Sequence, residues 1–427
     1  MGRTRTLHTP TSAHPNRQQS RQRPRAISLF SGAGGFCEGV RLAGYDVLCA
    51  VEADWDACRT HSANFPEVPL FKGDIKRFLV DECPGVPDRQ QLAAAKVDLI
   101  YGGPPCQGFS QIGPRDLKDP RNLLYREFAR VLEALSPSIF VMENVPNILA
   151  MRNGHYRDQI HASFRKAGYE RTTVITLIAS DFGVPQDRRR VFFIGLRDSL
   201  KLRSDLNDIC AELFAELRSA RRVTVRQAIS DLPAAVAAND EMLPYPNRRR
   251  GRYADFQQLM RLDFDTPLLT KAAKAARLTD SAALYNHHTK DIEARRRRIL
   301  EAMKPGRRGD SLPPTLWNGT RAHKWRRLDP QQPSYTILAQ MHRDLSEWIH
   351  PEYDRWITVR EAARLQSFHD GFIFHGSERQ QLKQVGNAVP PLLGLAVARA
   401  VREVLTLVAA ASGQRQKDSR RERRRCR

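Results

Sequence analysis

The sequence predicts an α/β fold, a mostly parallel sheet covered by helices on both faces, with a separate module inserted late in the chain. Three observations lead there. From Ala26 to Leu196 short apolar runs alternate with helical patterns, the rhythm of strands joined by crossover helices. Glu52, Asp74, Cys106 and Glu143 each fall at or just past the end of such a run. Ligands of these sheets sit outside the carboxyl ends of the strands, so the coincidence marks that edge as the site. From about Asp198 to Trp356 the alternation stops, and basic clusters such as Arg248–Arg250 and Arg295–Arg298 are interleaved with Tyr, Trp and His.

Residues 1–25 hold Arg, Gln, Ser, Thr, His and Pro with almost nothing to bury, and read as a disordered basic arm. Order is expected from Ala26-Ile27-Ser28-Leu29-Phe30, a strand that runs into Ser31-Gly32-Ala33-Gly34-Gly35-Phe36 and a helix closed by Gly44. Strand, glycine-rich turn and helix bring backbone amides against a nucleotide-like ligand, although many such turns are only tight turns. Cys37 stands where the dinucleotide fingerprint needs its third glycine, which weakens a nicotinamide dehydrogenase reading. The second strand, Tyr45 to Glu52, ends in an acid placed either to take ribose hydroxyls or to cap the helix starting near Asp54. A third apolar segment leads to Gly73-Asp74-Ile75.

The fourth strand, Asp98 to Tyr101, leads into the stretch around which the chain is organised. Gly102-Gly103 free the backbone, Pro104-Pro105 end the ladder, and Cys106 follows. A lone cysteine is more often a buried structural residue. Here the flanking Gly and Pro mark a backbone shaped around something, so the thiol is a candidate nucleophile. A helix from Arg121 to Leu135 precedes a strand, Ser138 to Met142, ending in Glu143-Asn144-Val145-Pro146. A helix near His155–Ala167, a strand Thr172–Ile178, and Pro185-Gln186-Asp187-Arg188-Arg189-Arg190 lead to a last strand, Val191 to Leu196. Within the inserted region, Lys290–Met303 reads as an amphipathic helix whose arginine run is a solvated face. His287-His288 is a weak metal signal and is set aside, so no metal site is expected. A helix from Val359 to Phe368, the segment Gln384 to Pro391 and a final apolar helix from Leu392 to about Val408 come next. The charged end, from Ser419, reads as disordered.

At 427 residues the chain can bury a large core and hold two or three structural units. A formal net charge of +22 favours a polyanionic partner, nucleic acid ahead of a membrane surface. No apolar run is long enough to span a bilayer, and no apolar leader follows the basic start, so a cytoplasmic, nucleoid-associated protein is expected. Seven cysteines without a C-x-x-C pair indicate neither a zinc site nor a disulfide framework.

With these motifs in hand, the chain resembles the DNA (cytosine-5) methyltransferases, prokaryotic type. The resemblance is carried by Phe30 to Phe36, Glu52, Gly73-Asp74-Ile75, Gly102 to Ser110, Glu143-Asn144-Val145, Gln186-x-Arg188-x-Arg190, Arg360 to Phe368 and Gln384 to Ala388, in the family's order. It implies a Rossmann-like methyltransferase sheet with S-adenosylmethionine across its strand ends and an inserted target-recognition domain. The implied organisation is a basic arm (1–25), a catalytic and cofactor-binding domain (26–197), a target-recognition region (198–357), closing motifs that return to the catalytic domain (358–411) and a basic tail (412–427). By resemblance Cys106 is the nucleophile that adds to cytosine C6, Glu143 the activating acid at N3, and Arg190, with Arg188 beside it, the holder of O2. Phe30, Ser31, Gly32, Ala33, Gly34, Gly35, Phe36, Glu52, Asp74, Ile75, Pro105, Asn387 and Ala388 match the cofactor-binding positions. Ala53 departs from relatives that place a tryptophan there on the adenine. Gly108 to about Arg121 resembles the loop that closes behind a flipped base.

The chemistry agrees with the residue types. Cytosine C5 is a poor nucleophile until a thiolate adds at C6, and cysteine is the side chain best suited to that step. The expected partner is double-stranded DNA, acting on a specific sequence with base flipping. A monomer is expected, with no membrane partner, and a cognate restriction endonuclease is a partner left open. An RNA (tRNA) cytosine-5 methyltransferase is the alternative within the family, and a catalytically silent DNA-binding regulator the alternative outside it.

Overall fold

The computed structural model describes residues 23–105, 120–238, 241–244, 253–261, 283–317, 325–341 and 347–425. Seven strands make one sheet: β1 (Arg25–Leu29), β2 (Asp46–Glu52), β3 (Leu70–Lys72), β4 (Leu99–Gly102), β5 (Ile139–Asn144), β6 (Arg171–Ile178) and, after the two-residue β7 (Gln186–Asp187), β8 (Arg189–Leu196). Their order is β3-β2-β1-β4-β5-β8-β6. β1 to β5 pair in parallel, and β8 runs antiparallel between β5 and β6. The expected mostly parallel sheet is therefore present, with one reversed strand that periodicity did not reveal. Strand order turns back between β1 and β4, the kind of switch point where such sheets open a crevice.

Alternation along the strands builds a core on each face. Ile139 and Val141 of β5 join Tyr101, Phe192 and Ile194 in one buried cluster. Phe140 and Met142 point the other way, with Ile100, Val191 and Phe193. Gly195 lies opposite Phe140 in register, and a Cβ there would stand 2.1 Å from that ring, so a side chain is excluded.

Helices cover both faces: α1 (Gly35–Leu42), α2 (Trp55–Asn64), α3 (Arg89–Ala94), α4 (Leu124–Leu135), α5 (His155–Lys166) and α6 (Leu206–Glu216). Short helices α7 (Val225–Ile229), α8 (Asp255–Arg261) and α9 (Ala294–Ala302) follow, then α10 (Val359–Leu365), α11 (Glu378–Asn387) and α12 (Pro391–Arg425). α4 and α5 add Phe128, Leu132, Ile160 and Phe164 to the second cluster. α1, α6 and the first half of α12 add Val40, Phe214, Val397 and Val401 to the first. α1 and α12 cross so closely that a Cβ on Gly39 would lie 2.4 Å from the Leu395 nitrogen.

Two expectations about the later chain change. The arginine-rich helix is shorter than Lys290–Met303, running only from Ala294 to Ala302. α12 continues to Arg425 where a disordered end was expected from Ser419. Past Gly413 the segment is Gln, Arg, Lys and Glu with one Ser and one Asp and no proline, a composition that propagates a helix already nucleated by packing. The inserted region has a small core of its own: Ile299, Leu300, Met303, Trp325, Ile349 and Trp356. It is built around α9 and the parallel pair β11 (Trp325–Arg327) and β13 (Glu347–Ile349), while β9 (Leu243–Pro244) pairs with β10 (Ala283–Leu284) and β12 (Ser334–Tyr335) with β7. Among the described residues no helix is long and apolar enough to cross a membrane.

Candidate active site

The turn after β1 is shaped by backbone conformations that favour glycine. Phe30, Gly32 and Gly34 all have positive φ (53°, 55° and 103°). A Cβ on Gly34 would stand 2.2 Å from the Phe65 ring, whereas one on Gly32 would meet nothing within 4 Å and project into open space. Gly34 precedes the first turn of α1, so the turn presents its amides at a helix N-terminus.

The Gly32 amide donates to Glu52 Oε2 at 2.7 Å, and Glu52 Oε1 accepts from the amides of Ala53 and Asp54 at 2.9 and 2.8 Å. Burial raises the Glu52 pKa, and these backbone donors oppose the rise. Of the two roles left open for Glu52, the capping of α2 falls to a different residue. Asp54 caps α2, accepting from the Ala57 amide, and Glu52 braces the glycine-rich turn. Asp54 also pairs with Lys383 Nζ at 2.6 Å, which ties this end of the sheet to α11.

Asn387 is exposed at the end of α11, and Ala388 is half-buried. A Cβ on Gly35 would lie 3.1 Å from that of Ala388 and 2.5 Å from the Val389 carbonyl oxygen, so residues distant in sequence close on the turn. Asp74 and Pro105 are exposed at the same edge, and Ser31 is half-buried there, its Oγ donating to Ser28 Oγ. Two expected cofactor residues contribute differently from the rest. The Phe36 ring is buried edge-on against Tyr101, 4.9 Å away, and Ile75 is buried with Phe71 and Phe78.

At the catalytic edge, Glu143 is buried and pairs with Arg190, Nε to Oε1, at 2.8 Å. Burial raises the Glu143 pKa, with Arg190 and then Arg188 pulling it down. A Cβ on Gly103 would stand 2.6 Å from Glu143 Oε2, and one on Gly102 would stand 2.0 Å from the Leu29 carbonyl oxygen. Both glycines are therefore demanded by close approach. Asn144 donates to the Pro104 carbonyl at 3.3 Å while its own Oδ1 accepts from the Val145 amide. The two-proline turn is thus held from β5. Cys106 and the candidate closing loop lie outside the described residues.

Arg188 does not face the reaction edge. Its buried guanidinium donates to the carbonyls of Ile337 (2.9 Å) and Gly386 (2.7 Å), so it braces the site from behind. Gln186 is buried as well: its Nε2 donates to the Leu365 carbonyl (3.0 Å) and Gln366 Oε1 (2.5 Å), and its Oε1 accepts from the Ile337 amide (2.9 Å).

The C-5 cytosine-specific DNA methylase model matches residues 25–403. The chain belongs to that family. It is 35% identical to the type II methyltransferase M.DdeI of Desulfomicrobium norvegicum, over 88% of each chain. It is 33% identical to the type II methyltransferase M.AgeI of Thalassovita gelatinovora, covering 90% of this chain and all of that protein. The crystal structure of a prophage-encoded protein assigned as a DNA modification methyltransferase (E. coli) superimposes with a TM-score of 0.70 at 29% identity, over 90% of this chain and 99% of that one. The chain is an enzyme, a DNA (cytosine-5)-methyltransferase, with the sheet of the S-adenosylmethionine-dependent class, and it uses a methyl donor of that type. Neither the silent regulator nor the RNA-directed alternative draws support from these matches.

In this methyltransferase, a residue that sequence reasoning passed over is Gln366. Its Nε2 donates to the carbonyls of Val385 (2.8 Å) and Ala388 (3.0 Å), so it clamps the closing motif to Gln186. Only its place inside the Arg360–Phe368 motif could have drawn notice. Of His287-His288, set aside above, the His287 ring bonds the Pro233 carbonyl and Thr358 Oγ1, and the His288 carbonyl accepts from the Val359 amide. Among the described residues no cluster could hold a metal.

Proposed function

We propose that the enzyme methylates C5 of cytosine within a specific duplex sequence through a covalent adduct between Cys106 and C6 of a flipped base. The observation that carries this reading is the Glu143–Arg190 pair, seated over Gly103 beside the clamped proline turn that leads to Cys106. The Cys106 thiolate adds at C6 while Glu143, whose pKa burial raises, supplies the proton that N3 takes up. Arg190 holds the carboxyl at Oε1 and reaches the O2 side of the ring. The ring is then an enamine with a nucleophilic C5. S-adenosylmethionine, when bound, supplies an electrophilic sulfonium methyl. Loss of the C5 proton to a base, elimination of the Cys106 thiolate and return of the N3 proton to Glu143 restore aromaticity and free the enzyme.

The residues at the strand ends fit that donor. Glu52 has lone pairs left for hydroxyls, Gly32 opens on free space, and Asp74 and Asn387 stand exposed around it. We assign cofactor contact to Phe30, to the backbone from Ser31 to Gly35, and to Glu52, Asp74, Pro105, Asn387 and Ala388, with Phe36 and Ile75 shaping the site from the core. The region from 198 to 357 is assigned to target recognition, which its small additional core and basic clusters support. Residues 358–411 return to complete the catalytic domain. A monomer acting on chromosomal DNA in the cytoplasm, with or without a cognate restriction endonuclease, completes the proposal.

Bisulfite sequencing of DNA from a methylation-free host expressing the protein tests it. Protected cytosines in one short recurring context, lost with Cys106→Ala while DNA binding persists, are expected. Turnover by Cys106→Ala would refute the covalent assignment.

A further inference from the structure

The inserted region carries one cation whose setting differs from its neighbours. Arg327 points inward from β11 and is neutralised by Asp354 while donating to the carbonyls of His350 and Leu300. Arg308 pairs with Asp310. Arg326, between them in the ladder, has neither a carboxylate nor a hydrogen-bond acceptor among the described residues. Its guanidinium carbon lies 4.3 Å from the Tyr335 ring centroid and 5.7 Å from that of Trp348. Those rings are themselves 5.7 Å apart, tilted by 33°. Stacking fixes the guanidinium plane without consuming its N–H donors, which are left for a ligand.

The location points to the ligand. Arg326 faces Trp348 in register across β11 and β13 and bridges Arg308 on its other side, with Arg307 and Arg308 both exposed. Tyr335, 37% exposed, pairs in register with Asp187, and Thr336 Oγ1 donates to the Asp187 carbonyl at 2.9 Å. Asp187 immediately precedes the segment Arg188 to Arg190 that carries the partner of Glu143. The carboxylate of Asp187 is engaged by Ser180 at 2.6 Å and by Arg222 at 3.6 Å. A fixed guanidinium among exposed arginines at this joint suits a run of phosphates better than a single base edge.

We propose that Arg326, held by the rings of Tyr335 and Trp348, neutralises a backbone phosphate of the DNA duplex at the joint between the inserted region and the catalytic sheet. The assignment rests on the reading of that region as the DNA-recognition module.

The test is the salt dependence of binding by the full-length protein to a duplex carrying its methylated context, followed by fluorescence anisotropy. One phosphate contact fewer lowers the slope of log K against log salt by about 0.9. Between 50 and 200 mM salt the wild type should then lose about 3.5-fold more affinity than Arg326→Ala. Arg326→Lys should keep the slope, and Tyr335→Leu should keep it while weakening binding at every salt concentration, because the charge remains but its fixed orientation is lost. The methylated context should be unchanged in all three. An unchanged slope in Arg326→Ala, with its melting temperature intact, overturns the proposal. A context relaxed at one position overturns it too, in favour of a base contact. Failure of the wild type itself to bind or methylate duplex DNA would instead refute the functional reading.

Discussion

Gly103→Ala isolates what the position of Glu143 is worth. The added Cβ would stand 2.6 Å from Glu143 Oε2, against about 3.4 Å for an ordinary contact, so the carboxylate must retreat by about 0.8 Å. Gly103 is not among the positive-φ residues, so alanine brings no backbone strain, and the atom in the way is the end of a side chain. The fold should survive, while the 2.8 Å pair with Arg190 and the aim of the carboxyl both change. A misplacement near 1 Å in a catalytic constellation costs on the order of 10²-fold in rate. A fall of about 10- to 100-fold in single-turnover methylation is expected, or ~1.4–2.7 kcal/mol in barrier. Donor binding by calorimetry and the melting temperature should stay near wild type. Gly102→Ala is the contrasting control: its Cβ would meet the Leu29 backbone oxygen at 2.0 Å, so it should fail in folding instead. Wild-type turnover by a well-folded Gly103→Ala enzyme would refute the claim that chemistry depends on Glu143 where it stands.

Arg188→Met should act on stability, because it leaves the Ile337 and Gly386 carbonyls unpaired at about 1–3 kcal/mol each, measurable by urea unfolding. Arg190→Met should lower turnover as well as stability, by about 1–3 kcal/mol, because it leaves the buried Glu143 carboxyl without its partner. Gly39→Ala forces α1 from α12, with the new Cβ 2.4 Å from the Leu395 nitrogen, and should cost about 1–3 kcal/mol, seen as a lowered melting temperature. His61 is buried, its ring nitrogens have no hydrogen-bond partner among the described residues, and burial holds its pKa down to about 3. The stability that its neutral form provides is whole above pH ~6.5 and lost as pH falls toward 3, about 2 kcal/mol of it by pH 5. His61→Leu should therefore gain stability relative to wild type as pH is lowered from 8 to 5, and a constant difference across that range would refute this account.

The sheet was legible because each strand is an apolar run punctuated by Gly, Pro or an acid, and because acids at strand ends mark the ligand edge whatever the local packing. Glu143 and Arg190 could be named from motif order, and the structure brings them into contact. Arg188 could not be separated from Arg190 in the same way. Both are arginines at alternate positions of one segment, and only tertiary structure shows that one guanidinium meets a carboxylate while the other meets backbone carbonyls. The reversed β8 was hidden because a fully buried strand reads alike in either direction. The end of the chain misled through composition. Arg, Lys, Gln and Glu describe a solvated tail as well as a helix, and the packed first half of α12 is what carries the helix onward.

The buried links around the site run largely to backbone atoms. Gln186, Arg188 and Gln366 bond the carbonyls of Leu365, Ile337, Gly386, Val385 and Ala388, so the closing motif is held against the catalytic sheet with little dependence on the side chains at those positions. The inserted module has a small core of its own and meets the sheet through the two-residue ladder of β12 on β7, through Ile337, which bonds Gln186 and Arg188, and through Leu328, Ile337 and Trp348 in the main core. A module attached in this way can change its exposed residues without moving Glu143, because the catalytic edge is fixed by Gly103, Asn144 and Arg190 on sheet elements that the module does not supply. On the proposed assignment, exposed residues of the module can vary without disturbing the catalytic edge. Exchange of the arginines at the β11 joint should alter how salt weakens binding, while exchange at Gly103 or Arg190 should alter how fast the enzyme acts at any site.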